Sequence, residues 1–411
     1  MLKLEEMLKY VSEHNEFYKN RINEFGIKDP LDITQWPILT RKELQENRYN
    51  MFSDGYKSKY FNQQLRRQSS SGSSGVPVNV YWDYKDWYAS NLSLWRKRLQ
   101  WYGIHPSDKC VMFSLSEFNT PAVNQNVYCV NTTDNILFIN TALINKKDGY
   151  NIIIDLINDF SPRWLYIQPT ILWGLLNAYQ KNNRKMPSTL THIETVGELL
   201  APSLKKTVID YFGVSVANMY GSEEMNGIAY ECPYNQMHIL DDNIKLEVEA
   251  NGKLMSFGEG AAVLTNLNNK AMPLIKYYQG DNLKLVKRNE KCLCVCRSSV
   301  IEIINGRMYN SIKLDNGTVI SSLTLLEIMA RINNQYGDII TNFEYYFYRS
   351  RKMLKCIIDV EIQRKCWFPQ IKKTICENFL EVPLSDIKLE VILSEIEDAN
   401  TTKKTILKIL E

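Results

Sequence analysis

The feature that most constrains the fold is an alternation of apolar runs and amphipathic segments between residues 109 and 219. The apolar runs are short enough for strands, and the segments between them carry apolar residues at helical spacing. The predicted strands cover 109–114, 135–139, 164–167, 191–196 and 214–219, and the predicted helices cover 150–160, 170–179 and 203–212. Strands that alternate with helices of about ten residues require crossover connections, which predict a mainly parallel sheet with helices on both faces.

The segments on either side of this region have different patterns. Residues 1 to about 60 predict helices, one of them with Thr40 as its N-cap. After about residue 236, short alternating runs such as 244–248 and 262–265 predict a small antiparallel sheet or barrel. From near Arg297 to the last residue, the pattern predicts a compact α+β tail. The predicted fold class is therefore α/β: a large N-terminal domain with mainly parallel sheets flanked by helices, a small β subdomain, and a small α+β C-terminal domain.

Composition and charge exclude several classes of protein. A hydrophobic content of 45%, a charged content of 23% and a formal net charge of +3 are ordinary for a soluble globular chain, and they argue against nucleic-acid or membrane partners. No run reaches the roughly 18 to 20 apolar residues that a membrane span needs. The N-terminus has an amphipathic helix pattern and not that of a signal peptide, so the nine cysteines predict reduced thiols and a cytoplasmic location.

A serine- and glycine-rich stretch occupies residues 68–78 and leads into an alternating, strand-like run. Glycines let backbone N–H groups approach an anion closely, and serine hydroxyls add donors without bulk, which favours binding of a polyphosphate. No Gly-Lys-Ser/Thr follows at the offset of a Walker A loop. The alternative interpretation is a flexible Ser/Gly linker.

Two polar segments follow predicted strands of the parallel sheet. They are Gly197-Glu198 after the strand at 191–196, and Tyr220-Gly221-Ser222-Glu223-Glu224 after the strand at 214–219. Ligands of open parallel sheets bind beyond the carboxyl ends of the strands. A tyrosine ring offers a flat surface for a purine, a glycine permits close backbone approach, and a carboxylate can hold Mg²⁺. Taken singly, each segment is a weak signal, and a Tyr-Gly turn before two glutamates is typical of a solvated surface.

Four features together point to a known family. They are the serine–glycine stretch, the segment 220–224, Tyr277-Tyr278-Gln279-Gly280-Asp281, and Arg297. In this order and approximate spacing they resemble the motifs of adenylate-forming enzymes. The chain is similar to the phenylacetate-CoA ligase branch, including its capsular polysaccharide biosynthesis relatives, over nearly its whole length. The resemblance implies an AMP-binding domain at 1–297 and a mobile C-terminal lid domain at 298–411.

The resemblance also implies roles for individual residues. Tyr220 would stack on adenine, and Glu224 would hold Mg²⁺ during catalysis. Asp281 would bind both ribose hydroxyls, because an ionised carboxylate can accept two hydrogen bonds at once. Arg297 would reach the ribose or a phosphate. The other residues implied in nucleotide binding are Ser71, Gly72, Ser73, Ser74 and Gly75 around the ATP phosphates, and Gly197, Glu198, Gly221, Ser222 and Glu223 near the adenine and Mg²⁺.

The catalytic lysine that the resemblance implies lies near the C-terminus. Lys404 is the first candidate and Lys403 the second, with a solvated charge run at the chain end as the alternative for either. The chain departs from the family pattern here, since no glycine precedes the lysine. Cys296 also stands where a glycine commonly precedes the arginine, and Ser298-Ser299 stand where an acidic hinge residue is common. These departures weaken the expectation of a second half-reaction more than that of the first.

The implied reaction joins a small carboxylic acid to the AMP part of ATP, with release of pyrophosphate, and then passes the acyl group to an acceptor. Coenzyme A is the default acceptor. An amine acceptor, giving an amide in polysaccharide or secondary-metabolite assembly, is an alternative. A third hypothesis is a non-catalytic nucleotide-binding homologue, motivated by Cys296, by the missing glycine before Lys404 and by Val76, which stands where many members have a lysine. The acid and the oligomeric state, including a homodimer, stay open.

Cysteine and histidine spacing also predicts a zinc site. Cys232 and His238 are spaced C-x₅-H, and Cys292, Cys294 and Cys296 alternate, so a strand would place all three on one side. Cys292 and Cys294 with Cys232 and His238 would form a Cys₃His set, which is typical of structural Zn²⁺. Some phenylacetate-CoA ligase relatives carry such a site in this region. The alternative is a strand of buried free cysteines with an unrelated histidine.

Overall fold

The structure is a computed structural model of the chain. It describes residues 2–69, 78–114, 128–145, 148–198, 200, 202–287, 292–304, 311–313, 319–321, 325, 328, 332, 335–336, 340–360, 366–380, 387–393 and 407–410. The predicted phosphate-loop residues Ser71, Gly72, Ser73, Ser74 and Gly75, and the candidate lysines Lys403 and Lys404, lie outside the described residues.

Helices cover the N-terminal region and alternate with strands in the centre of the chain. They are α1 (Leu2–His14), α2 (Glu16–Phe25), α3 (Arg41–Glu46), α4 (Tyr56–Phe61), α5 (Tyr84–Tyr102), α6 (Gly149–Phe160), α7 (Pro169–Lys181), α8 (Pro202–Phe212) and α9 (Phe368–Leu380), with 3₁₀ helices at Ile33–Gln35 and Thr141–Asn145. The predicted N-cap is confirmed, because the Thr40 hydroxyl accepts a hydrogen bond from the Glu43 N–H and the Glu43 carboxylate accepts one from the Thr40 N–H.

The strands form one large sheet and three smaller ones. They are β1 (Arg66–Ser69), β2 (Asn79–Trp82), β3 (Cys110–Ser114), β4 (Tyr128–Asn131), β5 (Ile136–Asn140), β6 (Trp164–Ile167), β7 (His192–Val196), β8 (Ser215–Ser222), β9 (Asn226–Glu231), β10 (Met237–Ile239), β11 (Ile244–Ala250), β12 (Lys253–Met255), β13 (Gly258–Asn266), β14 (Tyr277–Val286), β15 (Val300–Ile304), β16 (Ser311–Lys313), β17 (Val319–Ser321), β18 (Ile340–Tyr348), β19 (Met353–Val360), β20 (Lys388–Leu393) and β21 (Leu407–Leu410).

The large sheet has 13 strands in the order β12-β11-β13-β14-β15-β10-β9-β8-β7-β6-β3-β5-β4. Within it, β5, β3, β6, β7 and β8 run parallel, and the other neighbours pair antiparallel. The parallel strands are connected through α6, α7 and α8, as the alternation of patterns between 109 and 219 predicts. The predicted α/β class is therefore confirmed.

The runs predicted as a small separate antiparallel sheet continue the large sheet. β9 pairs antiparallel with β8, with Tyr230 opposite Met219, so the hydrogen-bonded ladder is not interrupted. β15 pairs with both β10 and β14, so the same sheet extends to Ile304. This pairing favours a domain boundary after Ile304, while the division at 297/298 stays a prediction.

The described residues after 304 have α+β character. β16 pairs with β17, and a four-stranded sheet has the order β20-β19-β18-β21. Helix α9 buries Ile371, Ile375 and Phe379 in a hydrophobic cluster that also contains Phe343 and Tyr345 of β18. This cluster shares no residue with the clusters of the large sheet, which agrees with the separate α+β unit predicted for the tail.

The N-terminal helices fix the start of β14, the strand that carries Asp281. The buried Tyr18 hydroxyl donates a hydrogen bond to the Pro273 carbonyl at 2.9 Å and accepts one from the Ile275 N–H at 3.0 Å. The buried ammonium of Lys276 donates to the Trp36 carbonyl at 2.8 Å. Among the described residues, no helix combines the length and apolar character that a membrane crossing requires.

Candidate functional site

The parallel strands bring the predicted polar segments to one edge of the sheet. Thr195 of β7 pairs with Ile167 of β6, and Val196 pairs with Met219 of β8. The next residue, Gly197, has a φ of +76°, a left-handed conformation that favours glycine. Because the carboxyl ends of neighbouring parallel strands lie together, the segments after Val196 and Met219 lie at the same edge of the sheet, where open parallel sheets bind ligands.

Tyr220 and Asp281, the residues predicted to bind adenine and ribose, are in direct contact. The Tyr220 hydroxyl donates a hydrogen bond to Asp281 Oδ2 at 2.8 Å. Gln279 Nε2 donates to the same oxygen at 2.8 Å and to the Tyr220 hydroxyl at 3.3 Å. These three hydrogen bonds close a triangle that fixes the carboxylate. Sequence reasoning missed Gln279, because its contact depends on the irregularity of β14 at Gly280, which has a φ of +83°.

Gly221 allows β8 to bend into the acidic segment. A Cβ at this position would lie 2.6 Å from the carbonyl oxygen of Asn226, so only glycine fits without a shift of backbone. The register between β8 and β9 shifts between Tyr220 and Gly221, and such a bulge redirects the side chains that follow. As a result Glu224 is only 5% exposed, whereas Glu223 is exposed.

Glu224, the predicted Mg²⁺ ligand, is held from β14. The hydroxyl of Tyr277, which is 1% exposed, donates a hydrogen bond to Glu224 Oε1 at 3.3 Å. The nearby Ser222 Oγ is buried and has no hydrogen-bond partner in the described part of the chain. A buried carboxylate beside a hydroxyl that lacks a partner is an oxygen-rich environment of the kind that Mg²⁺ prefers. The residues present therefore fit a magnesium ligand at Glu224.

Glu198 lies near Tyr150 of α6, a residue that sequence reasoning missed. Burial and the negative charge of Glu198 raise the pKa of Tyr150 to about 12, so the phenol stays protonated near neutral pH. Gly174 of α7 makes room for this ring, because a Cβ there would lie 2.0 Å from the Tyr150 hydroxyl oxygen. The pattern of the sequence predicted both helices but not the contact between them.

The role of Arg297 in nucleotide binding stays a prediction. Arg297 is exposed, and no hydrogen bond or ion pair joins it to Asp281 or Glu224 within the described ranges. It directly follows Cys296 and therefore lies beside the cysteine cluster described next.

The predicted Cys₃His set is assembled. Cys232, His238, Cys292 and Cys294 are buried, and their candidate ligand atoms all lie within 4.8 Å of one another. Cys292 Sγ lies 3.8 Å from Cys232 Sγ and 3.6 Å from His238 Nε2, and Cys294 Sγ lies 3.1 Å from His238 Nε2. Ligands of a zinc tetrahedron with bonds of about 2.0–2.3 Å lie roughly 3.5–3.8 Å apart, and the two contacts of Cys292 with Cys232 and His238 match this spacing, whereas those of Cys294 are a few tenths of an ångström shorter.

The strand predicted for the three alternating cysteines is wrong, because residues 292–298 form neither strand nor helix. Burial nevertheless alternates: the cysteines are buried, whereas Leu293 and Val295 are 75% and 72% exposed. The Sγ atoms of Cys292 and Cys294 are 3.2 Å apart. Residues two apart on a strand are separated by about 6–7 Å, so thiols that converge on one point favour a bent loop.

Hydrogen bonds within the cluster shift the pKa values of its members. Burial lowers the pKa of His238, but hydrogen bonds to Cys232, Cys296 and Cys292 raise it to about 10. Burial raises the pKa of Cys292, but hydrogen bonds, that from His238 first, lower it to about 7. The imidazole therefore keeps a proton while a neighbouring thiol loses one. A bound cation would displace the imidazole proton, since metal ligands must be deprotonated.

Curated relatives of this chain are phenylacetate-coenzyme A ligases, although no family model matches it. The protein of Thermus thermophilus is 29% identical over 147 residues, which are 34% of this chain and 33% of that relative. The protein of Pseudomonas putida is 20% identical over 378 residues, which are 87% of this chain and 80% of that relative. The chain thus matches a third of the first relative's length and most of the second's.

Solved structures of 2-hydroxyisobutyryl-CoA ligase have a similar fold. An open conformation in complex with 2-HIB-AMP and CoA has a TM-score of 0.58 and 17% identity, and the match covers 100% of this chain and 90% of that one. A complex with 2-HIB-AMP and CoA in the thioesterification state has a TM-score of 0.62 and 17% identity, over 99% and 88% of the two chains. At these sequence identities the structural similarity shows the fold of this chain and supports its α/β class.

Proposed function

We propose that this chain, which has the fold of the adenylate-forming acyl-CoA ligases and is homologous to phenylacetate-coenzyme A ligases, is itself an acid–CoA ligase. It activates a carboxylic acid as an acyl-adenylate with release of pyrophosphate, and it then transfers the acyl group to coenzyme A. The observation that carries the proposal is the contact between Tyr220 of β8 and Asp281 of β14, with Glu224, in the turn after β8, held by Tyr277 of β14.

The arrangement supports nucleotide binding through this chain's own groups. Asp281 is fixed by Tyr220 and Gln279, so its carboxylate is placed in advance to accept the ribose hydroxyls. The Tyr220 ring supplies a surface for adenine. Glu224 would hold Mg²⁺, which supplies positive charge against the phosphates when it is bound. Anchoring the nucleoside at two points orients the α-phosphorus for in-line attack by the substrate carboxylate.

Lys404, with Lys403 as second candidate, completes the proposed catalytic set. A lysine ammonium at the transferring phosphoryl group would offset charge that builds in the transition state. By analogy with the loss of one oxyanion donor, Lys404→Ala is expected to slow adenylation about 10²- to 10³-fold. The proposed nucleotide-binding set also keeps Ser71–Gly75, Gly197, Glu198 and Arg297. The capsular polysaccharide branch and the cytoplasmic location stay predictions.

The acyl acceptor is proposed to be coenzyme A because the solved relatives are described with CoA and an acyl-AMP. The amine acceptor and the non-catalytic homologue stay predictions that one experiment separates. Pyrophosphate release is measured over a panel of aryl, aliphatic and amino acids, with and without coenzyme A or an amine, and Asp281→Ala serves as the matched control.

The expected result is release with at least one acid, formation of an acyl-CoA, and loss of both in Asp281→Ala. Formation of an amide in the absence of coenzyme A would show that the acceptor is an amine and not a thiol. Tight AMP and ATP binding without release from any acid would favour the non-catalytic homologue. A protein that binds neither nucleotide would contradict all three hypotheses.

We also propose that Cys232, His238, Cys292 and Cys294 hold a structural zinc ion. The support is the convergence of four buried candidate ligands from the residue after β9, from β10 and from the loop 292–296. Four protein ligands leave no open position, which is typical of structural and not catalytic zinc sites. The ion would tie that loop to the end of β9, beside the strand that carries Tyr220.

A further inference from the structure

Arg66 of β1 is a cation without a matching anion in the described part of the chain. Its strand pairs with β2, with Arg66 opposite Trp82. Its guanidinium carbon lies 4.1 Å from the centroid of the Trp87 ring, and its Nε is buried without a hydrogen-bond partner there. No described carboxylate lies within ion-pair distance of it. Stacking on an indole holds the planar guanidinium while its edge remains able to bind an anion.

The contacts of Trp87 connect this cation to the acidic turn of the nucleotide site. Trp87 lies on α5, and one helical turn later the Ser90 hydroxyl accepts a hydrogen bond from Asn226 Nδ2 at 2.6 Å. Asn226 closes the turn that contains Glu223 and Glu224, since it pairs with Ser222 across the start of β9. Arg66 and this turn therefore border the same part of α5.

The charges of the two segments act on each other. Arg66 lies close enough to Glu223 for its positive charge to act on that carboxylate. The positive charge thus reaches the turn whose Glu224 is the proposed Mg²⁺ ligand. Asp281, the proposed ribose ligand, is connected to the other end of this turn through Tyr220.

We propose that Arg66 binds the β- and γ-phosphates of ATP and the pyrophosphate that leaves, an inference that rests on the proposed function. Two connections to the acidic turn support it: Asp281 is joined to Tyr220 at one end of the turn, and the charge of Arg66 acts on Glu223 beside Glu224. A guanidinium presents parallel N–H groups that match two phosphate oxygens, and such charge-assisted hydrogen bonds are about twice as strong as neutral ones. The alternative is a structural cation that only balances Glu223.

The experiment compares Arg66→Gln, Arg66→Lys and Arg67→Gln with the unmodified protein. Arg67 is the matched control, because it is the next residue on β1, faces the other side of the strand, and donates from Nε to Asn79 Oδ1 at 3.1 Å. Isothermal titration with ATP, pyrophosphate and AMP, each with Mg²⁺, gives the affinities. A thermal melt of each variant shows that it is folded.

The expected result is a loss of about 10- to 100-fold in affinity for ATP and pyrophosphate in Arg66→Gln, with AMP affinity unchanged, because AMP lacks both distal phosphates. Arg66→Lys is expected to lose less affinity for ATP and pyrophosphate, since it keeps the positive charge but not the parallel N–H groups of the guanidinium. Arg67→Gln is expected to bind all three ligands as the unmodified protein does.

Two outcomes would overturn the role of Arg66 alone. Arg66→Gln could bind ATP and pyrophosphate as the unmodified protein does, or it could lose as much affinity for AMP as for ATP. In both cases the unmodified protein would still bind nucleotide, and the proposed function would stand. Failure of the unmodified protein to bind ATP or AMP would instead overturn the proposed function and this inference together.

Discussion

The hydrogen bond from the Tyr220 hydroxyl to Asp281 Oδ2, at 2.8 Å, joins two strands that are not neighbours in the sheet. β9, β10 and β15 lie between β8 and β14 in the strand order. Across a flat sheet, four strand spacings would separate the two backbones by about 19 Å, which these side chains cannot bridge. The antiparallel part must therefore curl until β14 faces β8, and this curl creates the site.

We predict that Asp281→Asn weakens AMP binding by about 10- to 100-fold, because an amide loses the charge that strengthens hydrogen bonds from ribose hydroxyls. Tyr220→Phe keeps the ring for stacking and removes the hydroxyl that donates to Asp281 and accepts from Gln279, while the carboxylate stays, so a smaller loss of about 5-fold is expected. Isothermal titration with AMP measures both. Asp134→Asn, at an exposed turn, is the control. Equal AMP affinity in Asp281→Asn and this control would refute the ribose contact.

We predict that Tyr277→Phe raises the Mg²⁺ concentration needed for half-maximal ATP binding by about 5-fold. The variant removes one hydrogen bond that orients Glu224, which is worth about 1 kcal/mol. Glu224→Gln should raise the requirement further, since it removes the charged ligand itself. Titration of Mg²⁺ at fixed ATP gives the values, with Tyr278→Phe, the next residue on β14, as control. An unchanged Mg²⁺ requirement in Glu224→Gln would show that another group binds the ion.

Sequence patterns were sufficient for the parallel part of the fold and for the order of the motifs. Local periodicity and helix signals determine where strands and helices lie, so the five parallel strands between 109 and 219 and the cap at Thr40 were predicted, whereas the antiparallel edge strand β4 was not. The resemblance to phenylacetate-CoA ligases is confirmed by the curated relatives and the fold. The roles implied for Tyr220 and Asp281 stay predictions, although the two residues are in contact.

The contacts that the sequence did not predict depend on long-range geometry. The contacts of Gln279, Tyr277 and Tyr150 join strands or helices that are distant in sequence. No local pattern specifies how far a sheet curls or which faces of two helices meet. The same limit explains the wrong strand at 292–296, because alternation of cysteines is the pattern both of a strand and of a loop that converges on one point. The serine–glycine loop and Lys404 lie outside the described residues, so their roles are untested.

We predict that breaking the buried ion pair between Arg98 and Glu194 strongly destabilises the large domain. Arg98 Nε donates to Glu194 Oε2 at 2.8 Å, and the two side chains are 7% and 0% exposed. Arg98→Met or Glu194→Leu should each lower the free energy of unfolding by about 3–5 kcal/mol, since each leaves a buried charged group without its partner. Urea unfolding measures the change.

The double variant Arg98→Met/Glu194→Leu tests the cause of that loss. Its free energy of unfolding should decrease by much less than the sum of the two single decreases, because neither buried charge remains. The exposed pair of Arg96 with Asp242 is the control, and Arg96→Met should change stability by less than about 1 kcal/mol. Additive losses in the double variant would show that packing and not charge pairing accounts for the effect.

We predict about one zinc ion per chain in protein purified without chelator. Cys232→Ser and Cys292→Ser should lower this ratio, because each removes one of four ligands. A strong chelator should lower the melting temperature of the unmodified protein but not that of these variants, since metal binding stabilises only the folded form. Cys129→Ser, on the edge strand β4, is the control. A ratio near zero in the unmodified protein would exclude the zinc site.

We predict that stability falls on acidification through protonation of His192. This fully buried ring contacts Ser215 Oγ at 2.8 Å and the Tyr230 hydroxyl at 3.2 Å, and it stacks on Tyr102. Burial lowers the pKa of His192 from 6.5 to about 4, with Arg98 and Lys205 acting in the same direction and Glu194 and a hydrogen bond to Ser215 opposing them.

Between pH 6.5 and about 4 the unfolded chain binds a proton at His192 that the folded chain does not, so the free energy of unfolding must decrease as the pH falls through this window. The full effect is about 3 kcal/mol. Urea unfolding at pH 7.5, 6.0 and 5.0 should show a shallower decrease in His192→Gln than in the unmodified protein. His14→Gln, at an exposed residue, should leave the slope unchanged. Parallel pH profiles for His192→Gln and the unmodified protein would assign the acid sensitivity to other groups.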